Sequence, residues 1–155
     1  MKKNKLLFLS AILLAFTFFA CNKSKKFSNR LIKAGEWHVV ELSVDGVNEA
    51  ELPEWHIEDC DIYEESCFGE WENAEGGHAE FIWQFNEKGK TFIISRQEGE
   101  HEHTHDHASE EANEQCLNFS GNYEVITHKK NEMEFKSSTT YGYNGKTVII
   151  KLEKH

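Results

Sequence analysis

From Ala79 to Phe85 the chain alternates: Ala79, Phe81, Trp83 and Phe85 fall on one side, Glu80, Ile82 and Gln84 on the other. A period of two belongs to a strand with one buried face, because successive side chains of an extended backbone leave on opposite sides. Asn86-Glu87-Lys88-Gly89 follows at once and has the composition of a tight hairpin turn, so the next segment returns antiparallel. The same reading extends along the chain. Val40, Leu42 and Val44 share a face opposite Glu41 and Ser43, and Lys129-Lys130-Asn131 and Tyr143-Asn144-Gly145 mark further turns. Strands are predicted at 36–44, 56–63, 67–73, 78–86, 91–97, 117–127, 132–138 and 146–153, after a short helix around 27–33. The expected fold is all-β: one eight-stranded antiparallel up-and-down barrel with a short N-terminal helix, closed so that no edge is left to aggregate.

The first twenty residues read as a targeting segment rather than as part of this fold. Lys2, Lys3 and Lys5 precede an apolar run from Leu6 to Phe19, interrupted by Ser10 and Thr17 and ending at Ala20. As a helix the run reaches roughly 21 Å, short of the ~30 Å hydrocarbon core, which suits a cleaved signal better than a permanent span. The segment Phe18-Phe19-Ala20-Cys21 resembles the lipobox of bacterial lipoproteins. That resemblance implies cleavage before Cys21, diacylglycerol on its thiol and acylation of the new amino terminus. Several acyl chains hold stably where a single one does not. The division expected is a signal peptide over 1–20, a lipidated tether over 21–26 and one domain over 27–155. No acidic residue follows Cys21 directly, which favours the periplasmic face of the outer membrane.

Gly35-Glu36-Trp37 opens the first predicted strand just after the short helix, where lipocalins carry a Gly-X-Trp motif whose Trp plugs the barrel base. The chain resembles small lipocalin-like lipoproteins of Gram-negative bacteria in four places. These are Leu31 to Val39, Trp83-Gln84-Phe85 with Gly89, Ser120-Gly121-Asn122-Tyr123, and Thr147 to Leu152. The resemblance implies a membrane-anchored binding barrel, with Gly35 and Trp37 in structural roles. Two features depart from it: there is no Thr-Asp-Tyr motif, and no arginine after Arg96 to stack on Trp37. Lys151 or Lys154 would replace that arginine only in part, since lysine lacks the planar guanidinium.

Loss of the three signal lysines changes the formal charge from -10 to -13. A chain this acidic repels phosphate backbones, so nucleic acid is not an expected partner. The segment from Glu98 onwards is the most distinctive: His101, His103, His105 and His107 alternate with Glu102, Thr104 and Asp106. Neutral imidazoles suit Zn, Ni and Cu, and nearby carboxylates add ligands or orient the rings. A low-specificity metal-capturing loop over 98–115 is expected; the same composition also describes a solvated loop without a biological metal. Three cysteines remain beyond Cys21. Cys60–Cys67 is the favoured disulfide, with pairings to Cys116 as alternatives.

Phe81, Trp83 and Phe85, with Phe92, Ile94, Phe119 and Phe135, could line a cavity for a small apolar ligand or fill the interior. His38, His56, His78 and His128 stand singly and read as strand or surface residues. No nucleophile elbow, phosphate-binding Gly loop or His-Glu-X-X-His is present, so no catalytic residue is nominated. The expected activity is non-enzymatic: sequestration of a small apolar ligand or a divalent metal, or alternatively protein interaction through a filled barrel.

Overall fold

The predicted alternation becomes a closed barrel. The structure is a computed structural model that describes residues 23–61, 66–86, 88–96 and 107–155. In chain order it contains helix α1 (23–34) and strands β1 (Glu36–Val44), β2 (Val47–Asn48), β3 (Glu54–Ile57), β4 (Cys67–Glu72), β5 (His78–Asn86) and β6 (Thr91–Arg96). Helix α2 (His107–Phe119) and strands β7 (Gly121–His128), β8 (Glu132–Ser137) and β9 (Val148–Lys154) complete it. Eight strands pair antiparallel in the order β1-β3-β4-β5-β6-β7-β8-β9, and β9 returns to pair with β1. The short β2 adds a ninth strand as a hairpin on the end of β1. This is the expected up-and-down barrel, with its short N-terminal helix.

Antiparallel order puts successive connections at opposite ends. One end, called here the base, carries α1, the β3–β4 connection and the β5–β6 and β7–β8 turns. The other end, the top, carries the β1–β3 connection with β2, the β4–β5 turn, α2 and the β8–β9 connection.

The base is closed by α1. Phe27 and Leu31 lie one turn apart and are buried, while Lys25, Lys26 and Lys33 on the other side are exposed; Lys23, one turn before Phe27, places its ammonium over that ring. The helix ends at Gly35, whose φ of 73° lies in the left-handed region open to glycine, and whose N–H donates to the Leu31 carbonyl. That carbonyl also accepts the buried indole N–H of Trp37 at 3.0 Å. The Gly-X-Trp segment thus caps the helix and turns the chain into β1. Lys151 does not stack on Trp37; it pairs with Glu41.

Inward-facing rings occupy the interior. Trp55, Trp71, Phe81, Trp83, Phe92 and Phe135 are buried in full. Phe92 and Phe135 stack with centroids 4.4 Å apart, Phe85 and Phe92 meet at 4.7 Å, and Trp55 meets Phe81 at 5.3 Å. A disulfide joins Cys60 and Cys67, the favoured pairing, with Cα atoms 5.6 Å apart beside the base. Cys116 is free and buried.

Three stretches differ from the sequence expectation. Residues 23–26, expected as tether, already belong to α1. The part of the expected 98–115 loop that begins at His107 is helical, and the helix continues to Phe119, where a strand was predicted from 117. Ala112, Cys116 and Phe119 explain this: at spacings of four and three they share one helical face, and that face is buried. Finally, β3 starts at Glu54 and ends at Ile57, earlier than predicted, because Trp55 is the residue that pairs with Trp37 and Trp71.

Candidate metal site at the barrel top

Helix α2 reaches the interior from the top. Phe119 stacks on the inward-facing Trp71, with centroids 6.0 Å apart, and the Trp71 indole N–H donates to Gln115 Oε1 at 2.8 Å. Arg96 at the end of β6 donates through Nε to Asn113 Oδ1 at 3.0 Å, and its backbone N–H donates to Ser120 Oγ. These contacts fix the helix as a lid across β4, β5 and β6.

The N-terminal turn of α2 is held by the β4–β5 turn. Asn73 donates from Nδ2 to the Ala108 carbonyl at 2.9 Å. Its Oδ1 accepts from the backbone N–H groups of Glu75 and Gly77. One side chain therefore shapes the turn and docks it on the helix. Gly77 is required there by close approach: a Cβ would lie 2.0 Å from the Ala108 carbonyl oxygen.

This docking gathers three donors. Glu75 on the turn and His107 and Glu111, one helical turn apart on α2, place one ligand atom each within 4.8 Å of one another. All three are exposed. Tetrahedral Zn²⁺ with bonds of about 2.1 Å separates its donors by roughly 3.4 Å, so exposed side chains reach that spacing with a small rotamer change. One imidazole and two carboxylates make an N/O donor set, matched to Zn²⁺ and also acceptable to Ni²⁺ and Cu²⁺. Asp45, Glu49, Glu51, Glu110 and Glu114 lie on connections at the same end, and their charge favours cations there.

Of the expected metal ligands, His107 is the one the structure places, at the first position of α2. His101, His103 and His105 lie outside the described residues, as does Cys21. Glu75 and Glu111 were not nominated from sequence. The signal for Glu111 was its spacing of four from His107, legible only once a helix is assigned there. Glu75 is brought in by tertiary contact and left no local signal.

The expected ligand-pocket residues Phe81, Trp83 and Phe85 do face inward, but among themselves and against Trp55, Phe92 and Phe135 they form a packed ring cluster. Two concavities lie on the outside of the barrel. One, about 340 Å³, is lined by Lys25, Lys26, Asn29, Arg30 and Lys33 of α1. The other lies between α1 and the strands at Gly89, Glu124 and His128. Three single histidines sit on outward strand positions, each beside a carboxylate of the neighbouring strand: His38 with Glu54 at 3.0 Å, His56 with Glu72 at 2.8 Å, and His78 with Glu70 at 2.5 Å. None of them belongs to the three-donor cluster.

No protein-family model matches the chain, and no curated protein matches it either.

Proposed function

We propose that this protein is a lipid-anchored envelope protein of the lipocalin-like lipoprotein type, whose filled barrel presents a divalent-metal capture site at its outer end. The observation that carries this reading is the meeting of Glu75, His107 and Glu111 where the alternating histidine segment enters α2. The Phe18-Phe19-Ala20-Cys21 segment supports the anchor, and α1, which begins two residues beyond it in sequence, lies at the end opposite the donors. The packed aromatic interior favours a scaffold over a container for an apolar ligand. No catalytic step is assigned, and the chain is read as a binder.

Titration calorimetry with Zn²⁺, Ni²⁺ and Cu²⁺ at neutral pH tests the site. Uptake is expected, with affinity at least tenfold weaker in the Glu75→Gln/Glu111→Gln double variant. Absence of uptake in the unmodified protein would remove the metal reading. Mass spectrometry of the membrane fraction should find acyl chains on Cys21; an unmodified thiol would remove the anchor.

A second reading is supported by Tyr141 and Val47, each 72% exposed on connections at the top. Exposed apolar side chains of this kind suit contact with a protein partner. Cross-linking from position 141 in intact cells would distinguish a specific partner from solvent.

A further inference from the structure

The fold gathers basic residues around α1, and we propose that this side of the base is a docking face for anionic lipid headgroups. The overall formal charge of -10 conceals this. All 27 acidic residues lie from Glu36 onwards, so α1 carries Lys23, Lys25, Lys26, Arg30 and Lys33 without one carboxylate. Lys25, Lys26, Asn29, Arg30 and Lys33 line one continuous concave face of that helix. The opposite face, Phe27 and Leu31, is buried against the barrel, so the basic face is turned outward.

Topology enlarges the patch. The β5–β6 turn brings Lys88 and Lys90 to the same end, and the β7–β8 turn brings Lys129 and Lys130. Both turns adjoin α1: Phe27 packs over Gly89 and stacks on His128. Arg30 donates to the His128 carbonyl at 2.8 Å, which ties the helix to the β7–β8 turn. Nine basic residues separated in sequence by up to 107 positions therefore lie at the base. Carboxylates also lie at this end: Glu58, Asp59 and Asp61 on the β3–β4 connection, Glu36 and Glu153 at the ends of β1 and β9, Glu124 in the concavity with Lys23 and Lys90, and Glu132, which pairs with Lys129; α1 itself remains free of them.

A bilayer is the occupant that fits. The patch is broad and spread over one helix and two turns, and α1 begins two residues after Cys21. Clustered Lys and Arg at a membrane surface are attracted to anionic headgroups within about a Debye length. Arg30 and the lysines would contact phosphate oxygens, while the acidic top is directed away. The inference stands whether or not Cys21 is acylated, and it does not depend on metal capture at the other end.

The test is co-sedimentation of the acyl-free chain from Asn22 to His155 with vesicles. Among the described residues every core residue lies between Phe27 and Leu152, so this chain retains the whole of the described core. Binding is expected to vesicles containing 30% phosphatidylglycerol at low salt, at least tenfold above binding to neutral phosphatidylcholine, and lost in 0.5 M NaCl. Lys25→Glu/Lys26→Glu/Lys33→Glu should abolish it, whereas Lys136→Glu/Lys146→Glu, away from the base, should leave it unchanged. Thermal melting of each variant verifies folding, and the milder Lys→Gln triple variant serves if the reversal unfolds the protein. Equal retention by neutral and anionic vesicles, or full retention of the triple variant, would overturn the proposal. Binding to duplex DNA without binding to vesicles would overturn it equally.

Discussion

The imidazole of His128 lies flat against the ring of Phe27, with centroids 3.5 Å apart and planes 7° from parallel. The pair joins the last turn-end of β7 to the buried face of α1. Burial, reinforced by the Arg30 guanidinium that donates to His128 Nδ1, lowers the His128 pKa to about 4. A histidine with a depressed folded pKa is protonated more readily when unfolded. Its contribution to stability is therefore full above the unfolded value of 6.5 and is lost as pH falls towards 4. Because the ring is only partly buried, the loss expected is about 1–2 kcal/mol rather than the full linkage value. Urea unfolding at pH 7 and pH 4.5 should show it, and His128→Phe should flatten that part of the profile.

The four tryptophans are not equivalent. Trp37, Trp71 and Trp83 donate their indole N–H to Leu31 O, Gln115 Oε1 and Phe68 O, whereas Trp55 Nε1 is buried with no partner among the described residues. An unsatisfied buried donor costs about 1–3 kcal/mol. Trp55→Phe should consequently destabilise the protein less than Trp83→Phe, by about 1 kcal/mol or more in chemical denaturation. A larger loss for the Trp55 variant would contradict this.

Gly77→Ala probes the link between turn and helix. The added methyl meets the Ala108 carbonyl, so the β4–β5 turn has to move away from α2 and carry Glu75 with it. Overpacking of this kind costs about 1–3 kcal/mol. If Glu75 ligates Zn²⁺ together with His107, calorimetry should register weaker binding in a protein whose far-UV circular dichroism is unchanged.

Cys116 should behave as an inert thiol. Burial raises its pKa to about 12, against a smaller lowering by Arg96. A disulfide reagent should count no accessible thiol in the native described domain and one after unfolding, with the Cys60–Cys67 bond intact. Reduction of that bond opens a short loop and should cost about 2.5 kcal/mol on the chain-entropy account.

Strand β5 begins and ends where alternation in the sequence places it, because it has one face that must be buried and one that remains wet. Strand β1 keeps its expected bounds, but a bulge between Val39 and Glu41 leaves Val40 exposed and Ser43 buried, against the expectation that Val40, Leu42 and Val44 share the inner face. The region after Arg96 was less legible. Leu117 and Phe119 have the spacing of strand neighbours, and the helix becomes visible only when Ala112 and Cys116 are counted with Phe119. Short apolar runs are ambiguous between the two periods, and here burial over Trp71 settles the outcome. Likewise His107 was legible as a candidate ligand from its neighbours in sequence, but Glu75 was not. Its proximity depends on the Asn73 to Ala108 hydrogen bond, which joins positions 35 residues apart.

Strands of six to nine residues, tilted as barrel closure requires, hold the two ends of this molecule about 20 Å apart. Ions in physiological saline screen a field within about 8 Å. The lysines of α1 at one rim and the carboxylates of α2 at the other are thus too distant to cancel, and each group can meet its own counter-charge as though the other did not exist. The sheet is an insulator as well as a scaffold.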